Sequence, residues 1–128
     1  MWLNSGKKWK LTIHMKPKAK GRPRFGKGYT YTPSATRLAE KELKVKIAAN
    51  DPPKFTKAVA MNIVFTFKRP KSVNRIYPTV RPDLDNLVKL VTDSGNGLIY
   101  KDDCQIIQIT TSKQYGKIDS ISIVAFEI

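Results

Sequence analysis

Hydrophobic and polar residues alternate over residues 8–16. Trp9, Leu11, Ile13 and Met15 fall on one side, and Lys10, Thr12, His14 and Lys16 on the other. A period of two predicts a half-buried strand with a basic outer face. His14 lies on the polar side with nothing nearby in sequence to orient it, so it reads as a surface histidine. The clearest alternation covers 57–68, where Val59, Met61, Ile63, Phe65 and Phe67 interleave with Ala60, Asn62, Val64, Thr66 and Lys68. Two further strands are predicted from Gln105 to near Lys113, carrying Ile107 and Ile109, and over 119–127. Tyr115-Gly116-Lys117 makes the turn between them.

Two stretches change period. Ala35, Leu38, Ala39, Leu43 and Ile47 form a helical stripe after Thr32-Pro33, which reads as an N-cap and a proline at the first helical position. Asn50-Asp51-Pro52-Pro53 ends that helix. Leu84, Leu87, Val88 and Val91 recur at i, i+3, i+4 and i+7, behind Arg81-Pro82-Asp83. Pro82 suits the first turn and an Asp before the apolar run suits the cap. The predicted fold is α+β. One mixed sheet of about four strands is covered by two helices, in the order β-α-β-α-β-β with a terminal hairpin. The 128 residues suit one domain over 1–128 with a modest core, and 41% hydrophobic content is too high for a disordered chain.

Charge narrows the function. The net charge is +14, and the first 39 residues hold ten Lys or Arg and no acid. Such an arm points to an anionic partner. A membrane surface would need a basic amphipathic repeat, and Pro and Gly punctuate this stretch instead. No run approaches the about 18 apolar residues of a membrane span, and the N-terminus lacks a signal-peptide core. A single cysteine, Cys104, forms no intrachain disulfide and lacks a nucleophile's context. The expectation is a cytoplasmic protein with no membrane partner. From Pro17 to Tyr31, glycines and prolines forbid regular structure; Lys18, Lys20, Arg22, Arg24 and Lys27 interleave with Phe25, Tyr29 and Tyr31. Cations meet phosphates and aromatic faces stack on exposed bases. A second acid-free connection carries Arg69, Lys71, Arg75 and Arg81.

The acids are gathered. Five of the ten, Asp83, Asp85, Asp93, Asp102 and Asp103, fall within 21 positions. Asp85, Lys89 and Asp93 step by four along the second helix, away from its apolar stripe. One reading is a solvated polar face with a capping Asp. The other is divalent metal held against a polyanion. Phosphodiester hydrolysis needs an activated water, an electrophile at the non-bridging oxygens and help for the leaving oxygen, which two ions about 4 Å apart supply. Asp83, Asp85 and Asp103 make such a site if the segment before the third strand runs beside the helix entrance, with Lys89 placed to stabilise transition-state charge.

Here the chain resembles the RusA family of Holliday junction endonucleases. The residues that carry the resemblance are Arg81-Pro82-Asp83-Leu84-Asp85-Asn86-Leu87-Val88-Lys89, Asp93, Asn96-Gly97 and Tyr100-Lys101-Asp102-Asp103-Cys104-Gln105, with Pro17 to Arg24 and Tyr31-Thr32-Pro33 upstream. The resemblance implies catalytic, metal-binding Asp83, Asp85 and Asp103, an essential Lys89, and further acidic positions at Asp93 and Asp102. It implies a Mg²⁺-dependent nuclease (Mn²⁺ being an alternative ion) that cuts four-way branched DNA as a homodimer, in prophage-related recombination and repair. Ser94-Gly95 departs from the Ala-Leu the family tends to place there. The competing reading is a non-catalytic nucleic-acid-binding module whose acids are caps and structural ion pairs. A Ca²⁺-stabilised structural protein would need spaced loop ligands and a glycine that the chain lacks.

Overall fold

The computed structural model describes residues 7–21 and 34–128, and the backbone of 24–26 and 29–31. Strand β1 (Lys8–Ile13) is followed by two three-residue strands, β2 (Arg24–Gly26) and β3 (Tyr29–Tyr31). Helix α1 (Ser34–Ala48), strand β4 (Val59–Lys68), helix α2 (Leu84–Ser94), a 3₁₀ turn (Asp103–Gln105), and strands β5 (Ile106–Gly116) and β6 (Ser120–Glu127) complete the order. The α+β class and the sequence of main elements match the sequence reading.

The four long strands form one sheet in the order β1-β6-β4-β5. β4 is central because it is apolar on more than its alternating face: Val59, Ala60, Met61, Ile63 and Phe65 are all buried. β6 pairs antiparallel with β4 on one side, and β5 pairs parallel with it on the other. The predicted terminal hairpin is therefore absent. The turn after Gly116 passes over the end of β4, where the Lys68 amide donates to Asp119 Oδ1 (2.8 Å) and the Arg69 amide to the Gly116 carbonyl (3.1 Å). A turn motif fixes a reversal, but two free edges of a buried strand decided the partners. β2 and β3 pair antiparallel, so the stretch expected to be irregular holds a small ladder. Glycines that break long elements also suit reversal between short strands.

Both helices contribute to one core with the sheet. Leu43, Ile47, Ile63, Phe65, Leu87, Val91, Ile121 and Ile123 meet there. α1 is rotated from its predicted stripe: Thr36, Ala39, Leu43 and Ile47 are buried, while Leu38 and Val45 are exposed. Thr36 replaces an apolar neighbour because its Oγ1 accepts the Gly21 amide at 2.9 Å. α2 buries Leu87, Leu90 and Val91 completely, with Leu84 and Val88 half-buried. Ile107 and Ile109 of β5, the edge strand of the sheet, are exposed.

Ser94-Gly95 has a packing reason. A Cβ at residue 95 would lie 2.6 Å from Tyr100 Oη and 2.9 Å from Cζ. The Tyr100 ring fills the space under the helix end and its hydroxyl donates to the Thr92 carbonyl at 2.6 Å. Two residues on, Gly97 has φ +77°, a left-handed conformation that glycine adopts without strain.

Candidate active site

α2 begins at Leu84, with Asp83 as its N-cap in extended conformation. Pro82 therefore precedes the cap instead of occupying the first turn. The Asp83 carboxylate makes no capping hydrogen bond and is exposed. Asp85, also exposed, accepts only the Asn86 amide, at 2.9 Å. Neither has an ion-pair partner among the described residues. The helix entrance thus carries two exposed carboxylates, Asp83 at the N-cap and Asp85 in the first turn, each with open lone pairs.

That entrance is held by a residue the sequence reading did not single out. Lys113 of β5 donates to the carbonyls of Val80 and Pro82, at 2.8 and 2.9 Å, on either side of Arg81. Its sequence signal was a lysine in the same alternation as Ile109; it lies opposite Phe65 of β4, on the core-facing side of the sheet. The other end of the same loop is pinned by Arg69. Its guanidinium stacks 4.5 Å from the Tyr115 ring centre and donates to the carbonyls of Arg75 and Ile76. Arg75 Nε donates to Tyr115 Oη at 2.9 Å. Arg69 and Arg75, expected as DNA contacts, therefore shape the loop.

A cavity of about 450 Å³ opens under this loop, with Lys16, Lys68, Lys71 and Arg81 among its lining residues. Arg81 and Pro82 continue from it into a shallower recess that includes Asp83. Lys18, Lys71 and Arg81 are exposed and make no hydrogen bond or ion pair with other described residues. Arg22, Lys27 and the side chain of Arg24 lie outside the described residues.

Lys20 is not a free cation. Its Nζ contacts Glu40 of α1 at 2.9 Å and Asp93 of α2 at 3.1 Å, and its amide donates to the Asn86 carbonyl. Burial works to lower its pKa, but the hydrogen bonds and charges of Glu40 and Asp93 outweigh burial and leave it raised. Lys89, one turn beyond Asp85, is 62% exposed and lies 3.4 Å from Asp93 Oδ1.

The remaining acids gather at the opposite end of α2. Asp102 and Gln105 form a reciprocal cap on the 3₁₀ turn: Asp102 accepts the Cys104 amide, and Gln105 Oε1 accepts the Asp102 amide. Gln105 Nε2 also donates to the Phe55 and Lys57 carbonyls, tying the turn to the start of β4. The Cys104 amide bond holds the Asp102 pKa down. Asp103 donates its amide to Asn96 Oδ1 at 2.7 Å, and desolvation together with neighbouring Asp102 and Asp93 raises its pKa. Beneath them burial pushes the Tyr100 hydroxyl up, helped by Asp103 and Asp93. Asp102 also pushes up the exposed Cys104 thiol, opposite to what a nucleophile requires.

The predicted meeting of Asp103 with Asp83 and Asp85 is not formed within one chain. α2 joins two parallel strands, so it runs back against β5. Its entrance lies by Lys113 and its exit by Asp103. Among the described residues, no three His, Cys, Asp or Glu side chains are grouped to hold a metal ion. No described helix is long and apolar enough to cross a membrane.

Residues 14–124 match the family described as Endodeoxyribonuclease RusA, a span that includes all five acids and both basic connections. This chain belongs to the RusA family. It is also 30% identical over 136 aligned positions to the uncharacterized protein YqaN of Bacillus subtilis (strain 168), covering 93% of this chain and 96% of that protein. RusA membership makes the chain an endodeoxyribonuclease, a hydrolase of DNA phosphodiester bonds.

Proposed function

We infer that this protein is a Mg²⁺-dependent, structure-selective endonuclease that resolves Holliday junctions by paired symmetric cleavage, acting as a homodimer in DNA recombination and repair. The observation that carries this reading is that Asp83 and Asp85, both exposed and without ion-pair partners among the described residues, flank the start of α2, Asp83 beside Arg81 in one recess, on a chain of the RusA family.

The donor set fits the ion. Asp83 and Asp85 offer exposed, hard carboxylate oxygens, and Mg²⁺ is commonly held by one or two carboxylates, waters and substrate phosphate. Mn²⁺ accepts the same donors. The ion, when bound, supplies an activated water and a Lewis acid at the phosphoryl oxygens. The chain does the rest. Lys18, Lys71 and Arg81 hold the phosphate backbone by charge, and Lys113 fixes the loop that carries Arg81 against the helix cap. Lys89 shares the Asp85 face and is exposed, so its ammonium meets the negative charge that develops on the cleaved phosphate. A two-fold dimer supplies two equivalent sites for two equivalent strands.

The test is incubation with a synthetic four-way junction and with linear duplex, each with and without Mg²⁺. Symmetric nicks in the junction with Mg²⁺ alone are expected. Asp83→Asn and Asp85→Asn are each expected to abolish nicking while junction binding holds or tightens, since negative charge beside phosphate is removed. Near-native nicking by these variants would remove the assignment. The non-catalytic binding module is the second reading, favoured by the separation of Asp103 from Asp83 and Asp85 within one chain. It predicts salt-sensitive binding and no scission under any metal.

A further inference from the structure

We propose that Ile76 and Tyr77 form an apolar wedge that enters the unstacked centre of branched DNA and so sets the preference for a junction over a duplex. The proposal rests on the nuclease reading and names the part of the chain that recognises branch structure.

The first ground is where large apolar side chains are left in water. β4 ends at Lys68 and α2 starts at Leu84, and the connection between them holds no helix or strand. Long connections without structure of their own are commonly functional. Near the middle of this one, Ile76 is 72% and Tyr77 66% exposed. Single exposed apolar residues are ordinary, but two large ones in succession at a loop apex add nothing to the core.

The second ground is that the loop is built to hold them. Arg69 donates to the carbonyls of Arg75 and Ile76, and Arg75 Nε donates to Tyr115 Oη at 2.9 Å. Lys113 holds the far side through the Val80 and Pro82 carbonyls. Lys113 and Tyr115 lie two positions apart on one face of β5, about 7 Å at strand rise, so the loop closes on a narrow base. At the apex the Tyr77 carbonyl accepts the Thr79 amide at 2.8 Å, and Pro78 is buried directly behind Tyr77. Proline also confines the residue before it to extended backbone. Three cationic side chains and a buried proline thus fix the backbone that carries two exposed side chains. A loop ordered in this way loses little entropy on binding.

The third ground is charge, which names the occupant. From Lys68 to Pro82 the chain has five Lys or Arg and no acid. Two copies of this loop repel each other, whereas a polyanion is drawn to it. Lys71 and Arg81, exposed on either side of the apex in sequence, meet phosphates while the apolar pair meets bases. Apolar side chains enter DNA by separating stacked bases, which an intact duplex resists. The centre of a four-way junction has base faces already open, so the same wedge enters there at lower cost. Asp83 follows Pro82 at the anchored end of the loop, so branch centre and cleaved phosphate are held by one unit.

Binding without metal tests this, because it reads recognition apart from cleavage. A four-way junction carrying 5-iododeoxyuridine at the branch point is irradiated with the full chain, beside a linear duplex carrying the same label. A cross-link to Tyr77, mapped by peptide mass spectrometry, is expected with the junction and not with the duplex. The double variant Ile76→Ala with Tyr77→Ala is expected to bind the junction about tenfold more weakly, the scale of one lost stacking contact, with duplex affinity within about twofold and thermal unfolding unchanged. Tyr77→Phe is expected to keep junction binding, since the ring face and not the hydroxyl stacks. Equal binding of the two DNAs by the wild type, equal losses on both by the double variant, or a double variant that keeps the wild-type preference each overturns the proposal. So does a change in sedimentation between wild type and double variant without DNA, which makes the pair a contact between copies. With Mg²⁺ restored the two readings separate. A wild-type chain that cross-links through Tyr77 but never nicks junctions removes the nuclease reading and leaves the wedge standing. Junction nicking that stays equally selective in the double variant does the reverse.

Discussion

At the scale of single residues, cations that look alike in the sequence divide by what lies across from them. Lys18 and Lys20 are two positions apart in one basic arm. Lys18 is exposed, whereas Lys20 bridges Glu40 and Asp93, both about four-fifths buried. Removing the Lys20 ammonium leaves two carboxylates close together with no cation between them. Lys20→Ala is therefore expected to lower stability by about 1–3 kcal/mol, the range for losing hydrogen bonds to charged groups. Urea unfolding checks it, and duplex affinity should fall little once native protein is compared with native protein. Arg69 is a similar case: its stacking on Tyr115 and its bonds to two carbonyls leave it serving the loop more than the DNA. These roles were not legible, because a run of Lys and Arg records only sign and number.

Among the elements, α2 was the most legible. Its apolar positions and acidic face follow from a period of 3.6, and its observed range is Leu84–Ser94, behind an N-cap Asp83 whose carboxylate makes no capping bond. The segment after it was less so. Ser94-Gly95 looks like a loss of packing, yet Gly95 exists because Tyr100 occupies the space a side chain would need. Gly95→Ala is expected to displace the Tyr100 ring, break its bond to Thr92 and cost about 1–3 kcal/mol, as overpacking does. Thermal unfolding of Gly95→Ala beside Tyr100→Phe separates the two contributions. If crowding is the cause, Gly95→Ala loses more than the hydrogen bond alone. The Asp-Asp-x-Gln element divides in the same way. Asp102 and Gln105 cap and anchor a turn, and Asp103 sits inside it with its amide on Asn96. Sequence spacing grouped all three because neighbours in a turn look alike whether they serve structure or reaction.

For the whole molecule, the net charge of +14 sets how DNA is approached. Each phosphate neutralised contributes about −0.9 to the slope of log K against log salt. Arg81 is exposed and unpaired among the described residues, so Arg81→Ala is expected to flatten that slope by about one and weaken junction and duplex binding alike. Titrations at several salt concentrations check it; a loss confined to the junction would instead give Arg81 a part in reading branch shape.

The sequence by itself determined where the four long strands and the two helices lie, which face of α2 is acidic and which connections are basic. Those properties reside in local periodicity and composition, which a linear chain displays directly. Only the tertiary structure decided that β4 lies between β5 and β6, that Lys20 is spent on Glu40 and Asp93, and that Asp103 sits at the far end of α2 from Asp83. Strand neighbours and charge partners are settled through space, by free backbone edges and by which side chains the buried core brings face to face.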